Sequence, residues 1–206
     1  MTLMDTQKTP TTASSISKEL FLELVQRLGQ QGIDDIAWAE SLRPPVDPDQ
    51  FAFDAIFVVC NSGMHHRIAQ KIFDKCVPAL LEGRPVIGVF KHPGKAQAIE
   101  TLWRDRVALL AAYNAATDKL AFCQSLPWIG AITKFHLAKN YAAEVAKPDV
   151  HLQRLADRAG VTPQALCESL AKATGWRVGT VDTLLWRLCA TGILDSRTGI
   201  ILEEKQ

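Results

Sequence analysis

The chain has 206 residues, of which 48% are hydrophobic and 22% are charged, and its formal net charge is +1. This composition is typical of a soluble globular protein, and the length suffices for one large domain or two small ones that share a cleft. A net charge this small argues against a protein that coats nucleic acid, although a DNA enzyme that contacts a few phosphates needs only a local basic face. No apolar segment approaches the ~20 residues that a membrane helix requires.

Residues 1–16 are polar and rich in threonine, and they lack the basic-then-apolar order of a signal peptide. We therefore expect a disordered tail, followed by a single domain over residues 17–206, in a cytoplasmic protein. The five cysteines lie 16, 47, 44 and 22 residues apart, which fits neither a zinc nor an iron–sulfur site. We expect them to be reduced, buried thiols, and we expect no metal and no cofactor.

The predicted elements, taken in chain order, are almost all helices. Ser17 caps a helix that runs to residue 28, Gly29 and Gly32 end it, and a proline-containing loop follows. Residues 51–60 are strongly apolar and fit either a strand or a buried helix. Further helices are expected over residues 66–81, 95–103, 105–116, 131–142, 149–160, 163–174 and 181–190, with a hairpin within residues 117–142. The sequence therefore predicts an all-α fold.

The most informative segment is Leu-Pro-Trp-Ile-Gly at residues 126–130, between two predicted helices. A tight turn that a glycine closes leaves backbone N–H groups unpaired at the start of the second helix. Those N–H groups and the helix dipole favour a bound phosphate, and such a site recognises the nucleic-acid backbone rather than its sequence. A simple turn between packed helices is the alternative interpretation of this short pattern.

A second segment, Lys-Pro-Asp-Val-His at residues 147–151, follows the turn, and Asp149 lies 19 residues after Gly130. Pro148 favours entry into a helix, and Asp149 then occupies the N-cap, where backbone N–H groups hold its side chain. A plain capping role is the alternative interpretation of Asp149.

With these two segments the chain resembles the helix-hairpin-helix DNA glycosylase superfamily, which includes endonuclease III, the adenine glycosylase and the 8-oxoguanine glycosylases. In that family a Leu-Pro-Gly-Val-Gly hairpin precedes, by a similar interval, an aspartate in a Val-Asp-Val-His or Val-Asp-Thr-His segment. The resemblance implies two helical subdomains that flank a DNA-binding cleft. It makes Asp149 the catalytic carboxylate of a catalytic segment at residues 147–160, and it makes His151 a phosphate or site contact. The DNA-binding residues that it implies are Trp128, Ile129, Gly130, Lys134, Lys147 and His151.

Two departures from the family pattern narrow the expected activity. The first hairpin glycine is Trp128, whose indole either packs on a sugar or, as we expect, fills the core. The lysine nucleophile of the bifunctional members is replaced by Ile132; Lys134 faces elsewhere on an ideal helix, and His136 and Lys139 lie one and two turns away. Strand-cleaving lyase activity is therefore not expected.

A weaker match at residues 59–69 resembles the family segment that inserts wedge residues into the duplex. Its candidate wedge or pocket residues are Asn61, Met64, His65 and His66. Core packing is the alternative for Met64, and an exposed helix start is the favoured interpretation of the two histidines. Trp186 and Arg187 are candidates at the border of the base pocket, although a core position is the favoured interpretation of Trp186. Lysines 134, 139 and 147 are candidates for contacts with the DNA backbone, with a solvated surface charge as the equal alternative for each, whereas Lys91 and Lys95 are expected to be solvated surface charges.

The resemblance thus predicts a monomeric, nucleoid-associated base-excision enzyme that binds double-stranded DNA containing a damaged or modified base. It flips the base out and hydrolyses the N-glycosidic bond with Asp149 and water. One alternative is a base-modifying enzyme of phage-type DNA hypermodification on the same scaffold. Another is a non-catalytic helix-hairpin-helix DNA-binding module, and a third is an unrelated helical protein with an accidental match.

Overall fold

The computed structural model of the chain describes residues 16–201, and within this range the protein is all-α, as predicted. A 3-10 helix spans Val86–Gly88, and the only pairing of extended residues in the range is an isolated antiparallel bridge between Leu194 and Ile201. Apart from residue 16, the predicted tail lies outside the described residues. The α-helices, in chain order, are α1 (Lys18–Gln26), α2 (Gln30–Ser41), α3 (Pro48–Asn61), α4 (His66–Leu81), α5 (Pro93–Arg104), α6 (Arg106–Ala115), α7 (Lys119–Ser125), α8 (Thr133–Asn140), α9 (Val150–Ala159), α10 (Pro163–Thr174) and α11 (Val178–Ala190).

The chain divides into two compact units. Whether they act as the expected single domain over residues 17–206 is not decided by this division, and that domain stays a prediction. Within the described range, the first unit combines residues 16–41 with residues 148–201 and contains α1, α2 and α9–α11. Helix α11 is its central element, since it is buried along most of its length and packs against α1, α2, α9 and α10. An apolar helix surrounded on all sides in this way is typical of the core of a helical bundle.

Helix α2 corrects the sequence prediction, which placed a loop after Gly29 and Gly32. Gly29 does end the first helical segment, because its φ of 56° lies in the left-handed region that glycine adopts freely. Gly32, in contrast, lies inside α2, and a Cβ there would come within 2.9 Å of the Leu28 Cβ atom. The second glycine therefore marks a close approach of two helical segments rather than the end of a helix.

The second unit, residues 42–147, contains α3–α8 around one hydrophobic cluster. The apolar stretch that fitted either a strand or a helix is α3, and it is the central helix, packed against α4, α5, α6 and α8. At its first turn the Phe51 ring stacks on Tyr141 at 5.0 Å between ring centroids, and the Tyr141 hydroxyl donates to the Phe51 carbonyl at 2.6 Å. This contact fixes the end of α8 on the core of the unit.

The remaining predicted helices are confirmed, with shifted ends. Helix α11 begins three residues before the predicted start at residue 181, and α5 begins at Pro93 rather than at residue 95. All five cysteines are free thiols; four of them are buried, as expected, whereas Cys189 is only half-buried. None of the helices described between residues 16 and 201 is long and apolar enough to cross a membrane.

Candidate functional site

Asp149 is the N-cap of α9, which confirms the predicted local geometry. One carboxylate oxygen, Oδ1, accepts hydrogen bonds from the backbone N–H groups of His151 at 2.9 Å and Leu152 at 3.1 Å. Two backbone N–H donors at the start of a helix restrict the orientation of a carboxylate side chain more than its rotamer preference alone does. The carboxylate therefore occupies a defined position at the beginning of α9.

His151 is oriented from within the same unit. Its Nδ1 atom lies 3.0 Å from the hydroxyl oxygen of Ser196, a buried residue. The nearby Cys189 is no competing nucleophile, because burial, followed by the carboxylates of Asp149 and Asp195, raises the pKa of its thiol to about 12. Asp149 and His151 are thus the functional groups that this segment can offer to a ligand.

The turn between α7 and α8 has an unusual backbone. Trp128 has a φ of 65°, in the left-handed region, at the position where the resembled motif has its first glycine. The Ile129 N–H donates to the Leu126 carbonyl at 3.1 Å, and the Lys134 N–H donates to the Gly130 carbonyl at 3.0 Å. The turn is therefore tight and internally hydrogen-bonded, although its sequence carries a tryptophan where a glycine would adopt this conformation without strain.

The N–H groups at the start of α8 differ in their availability. The Gly130 N–H, a predicted phosphate ligand, instead donates to the Thr133 hydroxyl at 2.7 Å. The N–H groups of Ala131, Ile132 and Thr133 have no acceptor within the described residues. A phosphate at this turn would therefore meet the three N–H groups that follow Gly130.

Trp128 does not fill the core, so that expectation is wrong. Its side chain is 46% exposed, and its ring packs edge-to-face on His92 at 5.1 Å between centroids. The indole also lies over Gly94, where a Cβ would come within 2.6 Å of the ring. The turn therefore presents an aromatic surface whose position depends on the absence of a side chain at Gly94.

The lysines around the turn have different environments. Lys134 donates to the Gln124 side chain of α7 at 2.7 Å, while Ile132, at the position of the family's nucleophile, is 45% exposed. Lys147 is half-buried and Lys139 is buried, which leaves Lys139 little surface for the predicted phosphate contact. Among these three lysines, Lys134 is the one whose fixed position lies next to the turn.

Lys95 is not the solvated surface charge that the sequence predicted. It is 4% exposed, and its ammonium donates to the carbonyls of Ser62 at 2.7 Å and Cys60 at 3.4 Å. Desolvation by this burial lowers the pKa of its ammonium. Lys95 thus binds the carbonyl end of α3, where a cation interacts favourably with the helix dipole, and it holds the start of the predicted wedge segment. Lys91, by contrast, is exposed, as expected.

The predicted wedge residues lie in the α3–α4 connection. Asn61 is the last residue of α3, and Met64 packs against the core cluster, as its alternative interpretation had it. His65 is exposed and caps α4, since its Nδ1 accepts the Arg67 N–H at 3.3 Å. His66 is exposed too, with its ring edge-to-face on Phe57 at 5.7 Å. The exposed part of this connection is therefore histidine-rich.

Trp186 and Arg187, the candidates at the border of the base pocket, lie near the end of α11, where Arg187 is held by an ion pair. Both are half-buried, and Arg187 forms a bidentate ion pair with the buried Asp35 of α2, at 2.7 and 3.0 Å. The guanidinium also lies over the Trp186 ring at 5.0 Å. Arg187 is therefore engaged in joining α11 to α2.

Sequence reasoning missed Asn140 and gave no role to His136 on α8. Asn140 is 8% exposed, and its Oδ1 has no hydrogen-bond partner. His136 lies one turn before it, and burial, followed by the positive charges of Lys139, Lys147 and His66, holds the pKa of its imidazole well below the usual value. The sequence signal that could have indicated this pair is its spacing. Two polar residues four positions apart lie on the same face of a helix.

Comparison with known proteins gives no relative, since no protein-family model, curated protein or solved structure matches the chain. The glycosylase resemblance therefore rests on the two motifs and the shorter segment quoted above. Among the described residues, no group of three or more His, Cys, Asp or Glu side chains is arranged to hold a metal ion.

Proposed function

We propose that the protein is a monofunctional DNA glycosylase of the helix-hairpin-helix type, in which Asp149 and water hydrolyse the N-glycosidic bond of a damaged or modified base. The observation that carries the proposal is the fixed carboxylate of Asp149, held by two backbone N–H groups 19 residues after the glycine of the α7–α8 turn. The helix-hairpin-helix motif and the DNA-binding cleft that the resemblance implies are part of the same proposal.

The chemistry requires a fixed negative charge. Cleavage of the glycosidic bond builds positive charge on the sugar, and a carboxylate that needs no reorganisation stabilises this charge and orients the attacking water. Because Ile132 occupies the position of the lysine nucleophile, water attacks the anomeric carbon and an abasic site is the product. The bifunctional route through a covalent amine intermediate is absent from this mechanism.

The α7–α8 turn supplies the backbone contact in this proposal. Three N–H groups at the start of α8 meet a phosphate, and Lys134 adds a positive charge beside them. The exposed indole of Trp128 packs on the adjacent deoxyribose, and the exposed His65 of the α3–α4 connection fills the gap that the flipped base leaves. The partner is double-stranded DNA, bound by a monomer, and association with the nucleoid follows from this binding.

The products identify the reaction. Duplexes that carry uracil, hypoxanthine, 8-oxoguanine, 7-methylguanine or a modified thymine are incubated with the protein and analysed by mass spectrometry. A free base with an intact abasic strand supports the proposal. An altered base that stays on its sugar indicates hypermodification chemistry on the same scaffold, and unchanged DNA bound no more tightly at an abasic-site analogue than elsewhere indicates a binding module.

A further inference from the structure

Helix α4 carries a row of three basic side chains on its exposed surface. Arg67, Lys71 and Lys75 follow one another at intervals of four residues, and all three are exposed. Residues four apart lie on the same face of an α-helix, about 6 Å from one another along its axis. The three cations, which we call the α4 basic row, therefore form a line about 12 Å long on one face of the helix.

The side chains of the α4 basic row have no counter-charge in the protein. None of them forms an ion pair or a hydrogen bond with another side chain in the part of the chain that the structure describes. The exposed Arg84, in contrast, pairs with Glu82 at 2.5 Å. Asp74 is the only acidic residue of α4, and its carboxylate accepts instead from the Gln70 side chain at 2.8 Å. The charge of the row is thus available to a ligand.

This arrangement is unfavourable for the protein by itself. The row contains two pairs of like charges four residues apart, and each pair repels along the helix. Arg67 also lies in the first turn of α4, where the helix dipole disfavours a cation and no acidic residue is present. Proteins break local rules of this kind mainly at functional sites. An anionic ligand that spans the row would supply the missing counter-charge.

We infer that the α4 basic row binds the phosphate backbone of duplex DNA. One DNA strand carries a negative charge per about 3.4 Å of helix axis, so a line about 12 Å long faces about three phosphates. Arginine and lysine side chains are common ligands of phosphate oxygens, and such contacts position a protein on a duplex without reading its sequence. The inference goes beyond the proposed function, because this surface binds undamaged DNA and takes no part in base release.

An anionic membrane fits the helix less well than a duplex does. A helix that lies in a membrane interface buries an apolar face among the lipids. The apolar face of α4 is already used, since Ala69, Cys76 and Leu80 belong to the core cluster of the second unit. Its large exposed apolar residues, Ile68 and Leu81, lie near opposite ends of the helix. The regular spacing of the cations favours a linear polyanion instead.

The test measures the affinity for an undamaged duplex by fluorescence anisotropy over a range of KCl concentrations. Each lost phosphate contact lowers the magnitude of the slope of log K against log[salt] by about 0.9. The triple variant Arg67→Gln, Lys71→Gln, Lys75→Gln should therefore lower this magnitude by about 2 to 3 and weaken binding at least ~10-fold at low salt. Its melting temperature should not fall, because the three side chains are exposed and their mutual repulsion is removed.

The matched control removes three exposed cations that do not form a row, through Lys18→Gln, Arg104→Gln and Lys172→Gln. Both triple variants lower the net charge by the same amount, so a general loss of positive charge would affect them equally. We expect the control to keep the slope of the wild type. A labelling experiment needs no variant: duplex should protect Lys71 and Lys75 of the wild-type protein from acetylation and leave Lys172 as reactive as before.

The outcomes separate this inference from the proposed glycosylase function. Equal slopes for the two triple variants overturn the inference, and so does acetylation of Lys71 and Lys75 that duplex does not change. If the row variant loses binding to vesicles of phosphatidylserine and phosphatidylcholine but binds duplex like the wild type, the row is a membrane contact and the inference is wrong. Because the duplex is undamaged, the predicted slopes without base release from any lesion would contradict the glycosylase proposal alone.

Discussion

Asp149 combines two roles in one side chain. As the N-cap of α9 it accepts two backbone hydrogen bonds, and these bonds hold the carboxylate that the proposed mechanism uses. Because asparagine caps a helix about as well as aspartate does, a change to asparagine removes the charge while keeping the cap. The two roles can therefore be separated by one substitution.

Trp128 is the residue with the least favourable backbone among those near the turn. A bulky side chain at a φ of 65° is an outlier, and such outliers persist only where the surroundings hold them. Here His92 and Gly94 pack against the indole, and the turn is closed by its own hydrogen bonds. The strain is concentrated in the segment that we propose contacts DNA.

Asp54 gives a prediction about pH at the residue scale. Burial raises its pKa from 3.8 to about 6, although the Gln50 side chain donates to it at 2.9 Å. The folded state therefore binds more protons than the unfolded state between these values, and stability falls as the pH rises from about 4 to about 6. Asp54→Asn should raise the free energy of unfolding at pH 7.5 by up to about 3 kcal/mol and flatten this dependence.

Chemical unfolding at pH 4.5 and pH 7.5 measures the effect. The matched control is Asp74→Asn, since Asp74 forms the same four-residue contact with Gln70 on an exposed surface. Equal effects of the two substitutions would contradict the account of Asp54.

Helix α8 ends with a residue in the left-handed conformation, a position that is usually occupied by glycine. Ala142 has a φ of 64°, its N–H donates to the Lys139 carbonyl at 2.9 Å, and the Ala143 N–H donates to the Ala138 carbonyl at 2.9 Å. This is the Schellman pattern, in which the left-handed residue is most often glycine, as Gly160 is after α9.

Ala142→Gly should therefore stabilise the protein by about 1 kcal/mol, because glycine adopts the left-handed conformation without the Cβ penalty. Thermal unfolding provides the measurement. Ala112→Gly, within the exposed part of α6, should have the opposite sign and a similar size. A loss of stability in Ala142→Gly would show that the end of α8 is not strained.

At the scale of elements, the helices that depend on neighbouring residues could be predicted well. Features that depend on the packing of helices against one another could not. The cap at Asp149 and the proline-started helix α10 depend on neighbouring residues, so the sequence contains them. Gly32 was misinterpreted because its reason, the close approach of Leu28, involves the packing of two helical segments. The nearly continuous apolar run of α3, most of which is buried, likewise lacks the periodicity that distinguishes a helix from a strand.

The same limit applies to the candidate site. The N-cap position of Asp149 and the turn between α7 and α8 could be predicted, since both depend on neighbouring residues in the chain. The exposure of Trp128, the burial of Lys95 and the missing partner of Asn140 could not, because each depends on which surfaces of α3, α5 and α8 face one another in the second unit. Single-sequence patterns carry no such information.

At the scale of the whole molecule, the second unit has a core of its own. Every residue of its hydrophobic cluster lies between positions 51 and 145. We therefore expect a fragment of residues 42–147 to fold independently, with a cooperative thermal transition and dispersed amide signals in NMR spectra. A fragment of residues 148–206 should not, because α11 would lose α1 and α2, including the Asp35 partner of Arg187. An unfolded 42–147 fragment would contradict the division into units.

The most direct test of the proposed function is the single-turnover rate of base release by Asp149→Asn on a duplex that the wild-type protein processes. We expect the rate to fall at least about 100-fold, because the charge that stabilises the sugar cation is lost, while duplex affinity and melting temperature stay close to those of the wild type. Asp157→Asn, at an exposed position of the same helix, is the control and should keep the full rate. A wild-type rate in Asp149→Asn would contradict the account.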